Sequence, residues 1–131
     1  MLSSIELPLC SSIGSYAFRS CPALTNISLP ICIAVSSYTF ANCTALSSIY
    51  LPNCNIVSNG GFAACYLLNT IVLGSSIMSA TASGNIYNLA FTSCYNLLSL
   101  YLLASRVYAL NNINVFSSTP ISTYTTSTGG V

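Results

Sequence analysis

The chain has 131 residues, of which 53% are hydrophobic, and its only formal charges are Glu6, Arg19 and Arg106. A net charge of +1 without a basic cluster cannot neutralise a run of phosphates, which excludes nucleic acid as a partner. Ser, Thr, Asn or Pro interrupts every apolar run before the ~18 residues that a membrane-spanning helix needs, so no transmembrane segment is expected.

A repeat of 22 residues begins at Leu2 and continues along the chain with the consensus L-x-x-I-x-L-P-x-C-x-x-[IV]-x4-F-x-x-C. Four of its columns are Leu2, Leu24, Leu46 and Leu68; Ile5, Ile27, Ile49 and Ile71; Leu7, Leu29, Leu51 and Leu73; and Phe18, Phe40 and Phe62. Such a fixed period predicts a solenoid, in which each unit buries its apolar residues against its neighbours.

Each unit contains one predicted extended segment, Ile-x-Leu, with its two apolar side chains on one face and the intervening residue on the other. The prolines that follow, Pro8, Pro30 and Pro52, lack an amide donor and end these strands. Stacked units place successive short strands in parallel, about 4.8 Å apart, as a ribbon along one side of the solenoid.

After Leu73 about seven extra residues interrupt the register, and residues 74–84 are predicted to form a loop that projects from one coil. The pattern resumes at Ile86, Phe91, Cys94, Leu97, Leu100 and Leu102, and a last degenerate unit runs from Val107 to Pro120. We therefore expect a solenoid over residues 1–122, with about five to six coils, and a polar tail over 123–131.

The stretch Leu24-x-x-Ile27-x-Leu29-x-x-Cys32 resembles a leucine-rich repeat. Ile13-Gly14-Ser-Tyr16-Ala17-Phe18-Arg-Ser-Cys21 is more specifically similar to the BspA-type repeats, and the resemblance extends from residue 2 to about 121. It implies a fold of short parallel β-strands with an irregular convex side. It also implies an adhesion or protein-binding module at the cell surface or in the extracellular space. The first residues, Met1 to Glu6, do not resemble a signal peptide.

Seven cysteines fall in two columns. The first column holds Cys10, Cys32 and Cys54, and the second holds Cys21, Cys43, Cys65 and Cys94. We predict that these thiols are structural, packed as small hydrophobes that bond weakly to nearby backbone groups. Disulfides and a zinc site are alternatives, but in-register side chains point the same way, and neither C-x-x-C nor His occurs.

Catalysis lacks candidate residues. A Ser or Cys nucleophile needs a neighbouring base, yet the sequence contains no His, Lys or Asp, and its one carboxylate is Glu6. We therefore predict that the protein is not an enzyme and uses no cofactor.

The outward row of the ribbon is the predicted recognition surface. Its candidate partner-binding residues are Ser28, Tyr50, Val72 and Tyr101, in line with Glu6 and flanked by Asn26, Ser48, Thr70 and Ser99. Tyrosines on a rigid sheet provide large amphipathic contact area at low entropic cost. The alternative is that the row only solvates the ribbon. Tyr16 and Tyr38 form a second row with the same two interpretations.

Two functions are compatible with this pattern. The first is a non-enzymatic module that presents the ribbon or the 74–84 loop to a protein or glycan partner. The second is a subunit that stacks end to end into an extracellular filament, because a solenoid end that begins without a polar cap exposes core residues and strand edge. Residue 1 as a cut in a longer repeat array is the competing explanation of that end.

Overall fold

The structure, a computed structural model, describes residues 1–74 and 89–102 and the backbone of Thr125–Thr126. The predicted loop beyond Gly74, the predicted unit at 107–120 and the rest of the predicted tail lie outside this part of the chain. Nine short strands lie within it: β1 (Ser4–Glu6), β2 (Ser12–Ile13), β3 (Asn26–Ser28), β4 (Ala34–Val35), β5 (Ser48–Leu51), β6 (Ile56–Val57), β7 (Thr70–Leu73), β8 (Ser99–Leu102) and β9 (Thr125–Thr126).

Six of these strands form one parallel ribbon in the order β1-β3-β5-β7-β8-β9. Ser48 of β5 pairs with Thr70 of β7, 22 positions further, whereas Thr70 pairs with Ser99 of β8, 29 positions further. The longer step leaves the register of buried residues unchanged, since Ile71 still pairs with Leu100. The predicted repeat solenoid is confirmed, with three full turns of 22 residues in the continuous stretch from β1 to β7.

A second parallel ribbon, β2-β4-β6, runs along another side of the coils. Ile13 pairs with Val35, and Val35 pairs with Val57, so the [IV] column of the repeat is a line of buried strand residues. The sequence predicts one extended segment per unit, whereas each of the first three units contains two strands. A two-residue strand is too short to show the alternation of polar and apolar residues from which strands are recognised.

Stacked turns close the remaining side of each coil through backbone hydrogen bonds to the next coil. The N–H groups of Phe18, Phe40 and Phe62 donate to the carbonyl oxygens of Thr39, Gly61 and Ala90 at 2.8 to 2.9 Å. Two positions in every turn have positive φ, and these form two columns. The columns are Tyr16, Tyr38, Gly60 and Leu89, and Ser20, Asn42, Ala64 and Ser93.

Phenylalanines form a continuous stack through the core. The ring centroids of Phe18, Phe40, Phe62 and Phe91 follow one another at 5.4 to 5.5 Å with planes within 8° of parallel. The leucine columns pack beside this stack, and Leu24, Leu46, Leu68 and Leu97 are fully buried. Leu2 and Leu7 belong to these columns but are 49% and 39% exposed, because only the coil on one side covers them.

The cysteines bond to the backbone in two different ways, and the bonds of the second column link consecutive coils. In the first column each Sγ donates to the carbonyl two residues ahead, and Cys32 and Cys54 are buried. In the second column Cys43, Cys65 and Cys94 donate to the carbonyls of Phe18, Phe40 and Phe62 in the preceding coil, at 3.1 to 3.2 Å. All seven thiols are free.

Burial makes five of these thiols poor acids. Loss of hydration on burial raises the pKa of Cys43 to about 11 and that of Cys54 and Cys94 to about 12, and it raises the pKa of Cys32 and Cys65 as well. Hydrogen bonds with nearby backbone groups lower the pKa of these thiols, but the loss of hydration is the larger effect. These cysteines are therefore held as thiols at neutral pH.

Gly60 is the one glycine in its positive-φ column, with φ of 61°, and a Cβ placed there would collide with the ring of Tyr38. We expect Gly60→Ala to lower the free energy of unfolding by about 1–3 kcal/mol, because the new side chain adds backbone strain and displaces the ring. Gly14→Ala is the matched control, since nothing lies within 4 Å of a Cβ at that position. Equal urea midpoints for the two variants would contradict this packing.

The buried thiols predict a loss of stability at alkaline pH. The unfolded chain releases these protons near the ordinary pKa of 9.0, whereas the folded chain keeps them, so the stabilisation is complete below about pH 9 and falls above it. Each such thiol contributes a slope of about −1.4 kcal/mol per pH unit. Urea unfolding between about pH 8 and pH 10.5 should show a shallower decline for Cys54→Ala than for the parent; identical slopes would contradict the assignment.

Candidate binding surface

The four candidate partner-binding residues lie in one straight row across the six-stranded ribbon. Ser28 pairs with Tyr50, Tyr50 with Val72, and Val72 with Tyr101, and Glu6 precedes them on β1. The row exists because successive residues of a strand face opposite sides of the ribbon, so the neighbour of a core-facing residue such as Ile49 points outward. Their partner-binding role remains a prediction.

The tyrosines dominate the exposed part of this row. Tyr50 is 55% exposed and Tyr101 is 43% exposed, while the intervening Val72 is half-buried. Two strand spacings separate the tyrosines, which corresponds to about 10 Å. Of the flanking residues, Asn26 and Ser48 are exposed, whereas Thr70 and Ser99 are half-buried. The result is a neutral surface with two phenol rings raised above small and polar side chains.

The second predicted row, Tyr16 and Tyr38, is a packed stack. The two rings lie 5.5 Å apart between centroids and within 9° of parallel. The guanidinium of Arg19 lies over the ring of Tyr16, 5.5 Å from its centroid, and the ring of Tyr38 occupies the space that a side chain at Gly60 would fill. Neighbours therefore occupy both ends of this stack, which favours the structural interpretation of the row.

Sequence reasoning missed a second exposed cluster, which we call the tyrosine corner: Tyr66, Leu67, Tyr95 and Leu98. These side chains are 42%, 51%, 56% and 64% exposed, respectively. Tyr66 and Tyr95 each follow a buried cysteine of the second column, where the earlier coils carry Pro22 and Thr44. The sequence contains a signal for this cluster, because a repeat position occupied by Pro22 and Thr44 changes to tyrosine, just as Ser28 is replaced by Tyr50 in the next copy.

Ionisable and coordinating groups are sparse on both surfaces. Among residues 1–74 and 89–102, no group of three or more His, Cys, Asp or Glu side chains could hold a metal ion. Glu6 stands in the outward row on β1, the first strand of the ribbon, with Ser28 as its paired neighbour. The described surface thus offers phenols, hydroxyls, amides and apolar groups as its contact chemistry.

No helix in the described part of the chain has the length and apolarity needed to cross a bilayer.

Comparison with known protein families agrees with this architecture. The chain matches no curated protein and no solved structure. Six copies of the BspA type leucine-rich repeat region match residues 1–129, which is nearly the whole chain. With its 22-residue coils, parallel ribbon and buried leucine columns, the chain belongs to the BspA-type leucine-rich repeat family.

Proposed function

We propose that this chain is a non-enzymatic binding module, displayed at the cell surface or in the extracellular space, and that it contacts a protein partner through the outward row of the six-stranded ribbon. Repeats of this family suggest protein binding or adhesion and are often surface-associated. The observation that carries the proposal is that Tyr50 and Tyr101 are both exposed on one rigid row. Val72 lies between the two tyrosines, and Ser28 lies on the other side of Tyr50.

Rigidity makes these tyrosines effective contact residues. Backbone hydrogen bonds fix β5 and β8 in the ribbon, since β5 pairs with β3 and β7, and β8 pairs with β7 and β9. A phenol ring on such a strand loses only side-chain freedom on binding, so more of its contact energy becomes affinity. Val72 fills the floor between the rings with apolar surface.

The chemistry of the described residues supports a binding role over catalysis. The buried cysteines have raised pKa values, so they lack the thiolate form that acts as a nucleophile. Glu6 is the one carboxylic side chain in the sequence, and no His is available to activate a hydroxyl. General acid-base chemistry consequently has almost no candidate groups.

The scarcity of charge indicates the kind of contact. Glu6 is the only formally charged side chain in the row. Affinity must then come from buried apolar area and neutral hydrogen bonds, which salt screens little. A partner with an apolar contact face fits this surface better than a highly charged one.

Removing the two ring systems should remove the contact. We expect Tyr50→Ala combined with Tyr101→Ala to weaken binding at least tenfold, because one hot-spot tyrosine contributes about 2 kcal/mol and a tenfold change corresponds to about 1.4 kcal/mol. The measurement is binding of labelled chain to a panel of immobilised matrix and cell-surface proteins, repeated at about 0.05 M and 0.5 M salt, with little change between the two.

The matched control for this experiment is Tyr66→Ala combined with Tyr95→Ala, which removes two exposed tyrosines that lie off the row. It should bind as the parent does. Loss of binding in the control, together with full binding by the Tyr50 and Tyr101 variant, would place the site elsewhere.

Self-association is the second candidate, and the first coil favours it. Leu2 and Leu7 are 49% and 39% exposed, although the equivalent Leu24 and Leu29 in the next coil are fully buried. This face can accept one more coil, either from a second copy or from chain preceding residue 1. Head-to-tail contacts of this type build open filaments.

Light scattering on the chain across a range of concentrations tests this second candidate. We expect the average mass to rise with concentration, and Leu7→Gln to suppress the rise because it places an amide in the apolar contact. A parent chain that stays monomeric throughout excludes self-association.

A further inference from the structure

The tyrosine corner contains a pair of phenol rings that meet across consecutive coils. The ring centroids of Tyr66 and Tyr95 are 5.4 Å apart and their planes differ by 16°. Both side chains are exposed, at 42% and 56%. Two phenols are therefore held face to face where a reagent in solvent can reach them.

Other tyrosines in the described residues lack this combination. Tyr16 and Tyr38 are stacked, but Tyr38 is half-buried against Gly60 and Arg19 lies over Tyr16. Tyr50 is exposed, yet its neighbours in the ribbon are Ser28 and Val72. Among these residues, the corner thus holds the one pair of phenols that is both stacked and exposed on both members.

We propose that Tyr66 and Tyr95 form a site of oxidative coupling, at which a dityrosine bond joins two consecutive coils. The oxidant required is a peroxide used by a haem peroxidase. One electron and one proton leave each phenol, and the two radicals form a carbon-carbon bond between the ring carbons next to the hydroxyl groups. The hydrogen on each bonded carbon then moves to oxygen and restores the phenol. Overall, two tyrosines and one hydrogen peroxide give one dityrosine and two waters.

The fold favours this coupling over coupling between molecules. Cys65 and Cys94 directly precede the two tyrosines. Their thiols donate hydrogen bonds to the backbone carbonyls of Phe40 and Phe62, and these bonds help to hold both turns in place. Holding the reacting rings at 5.4 Å makes the step unimolecular and raises their effective concentration greatly. Exposed side chains also retain the rotational freedom needed to bring the two ring carbons into bonding distance.

Such a bond would give the solenoid a covalent link that its cysteines do not provide. The seven thiols are free, and those of Cys43, Cys65 and Cys94 are engaged with backbone carbonyls of the preceding coil. The dityrosine would instead connect the coils of β7 and β8. Paired residues of these two strands are 29 positions apart in the sequence, against 22 for β5 and β7. This inference does not depend on the proposed binding function.

The test exposes the purified whole chain to a haem peroxidase and hydrogen peroxide, and isolates the monomer by size. We expect dityrosine fluorescence in the monomer, a peptide in which Tyr66 and Tyr95 are linked with the loss of two hydrogens, and a yield independent of protein concentration. The conservative variant Tyr66→Phe keeps an aromatic ring for the stack and should lose the linked peptide. Tyr16→Phe, which alters the other stacked pair, should retain it.

Unfolding the chain in urea before oxidation should abolish the preference for this pair, because the stack exists only in the folded protein. Dityrosine confined to dimers and larger species would overturn the proposal. So would a monomer whose dityrosine maps to other tyrosines, or one whose yield is the same in Tyr66→Phe as in the parent.

Discussion

Hydrogen bonding between successive coils, in the same register on every side, is the constraint on which this structure depends. The six-stranded ribbon, the β2-β4-β6 ribbon and the stacked turns all bond one coil to the next. Once that register is set, equivalent positions of successive repeats must lie on top of one another. The phenylalanine stack, the thiol columns and the outward row of the ribbon are consequences of this single repeat.

The periodicity of the sequence predicts the buried columns that the copies share, and the structure confirms the repeat solenoid. Ile27, Leu29 and Phe40 recur at fixed spacing because each fills an identical place in the core. The step from Thr70 to Ser99 shows why the period survives extra residues: the strands that follow resume the same pairing. The fold of a repeat protein can thus be predicted from one sequence, because the same pattern of buried residues occurs several times in it.

Other features depend on contacts between coils and cannot be predicted from the residue type at a single position. The β2-β4-β6 ribbon is too short for an alternation pattern, and the positive φ of Tyr16, Tyr38 and Ala64 occurs at residues that ordinarily avoid it. Those residues are kept there by the hydrogen bonds of the stacked turns. The tyrosine corner also depends on stacking, because Tyr66 and Tyr95 are 29 positions apart in the sequence and meet only in the folded coils. How exposed a side chain is at a given repeat position depends on the neighbouring coils and not on its own copy alone.

The stacking of repeats separates the positions that stabilise the fold from the positions that form its surface. Positions that are identical between copies build the core, and positions that differ, such as Ser28, Tyr50 and Val72, determine what the surface presents. The longer step between β7 and β8 adds a practical consequence. Since β8 pairs in register despite seven additional residues, this junction is a natural site for grafting a foreign peptide, and the solenoid can serve as a display scaffold.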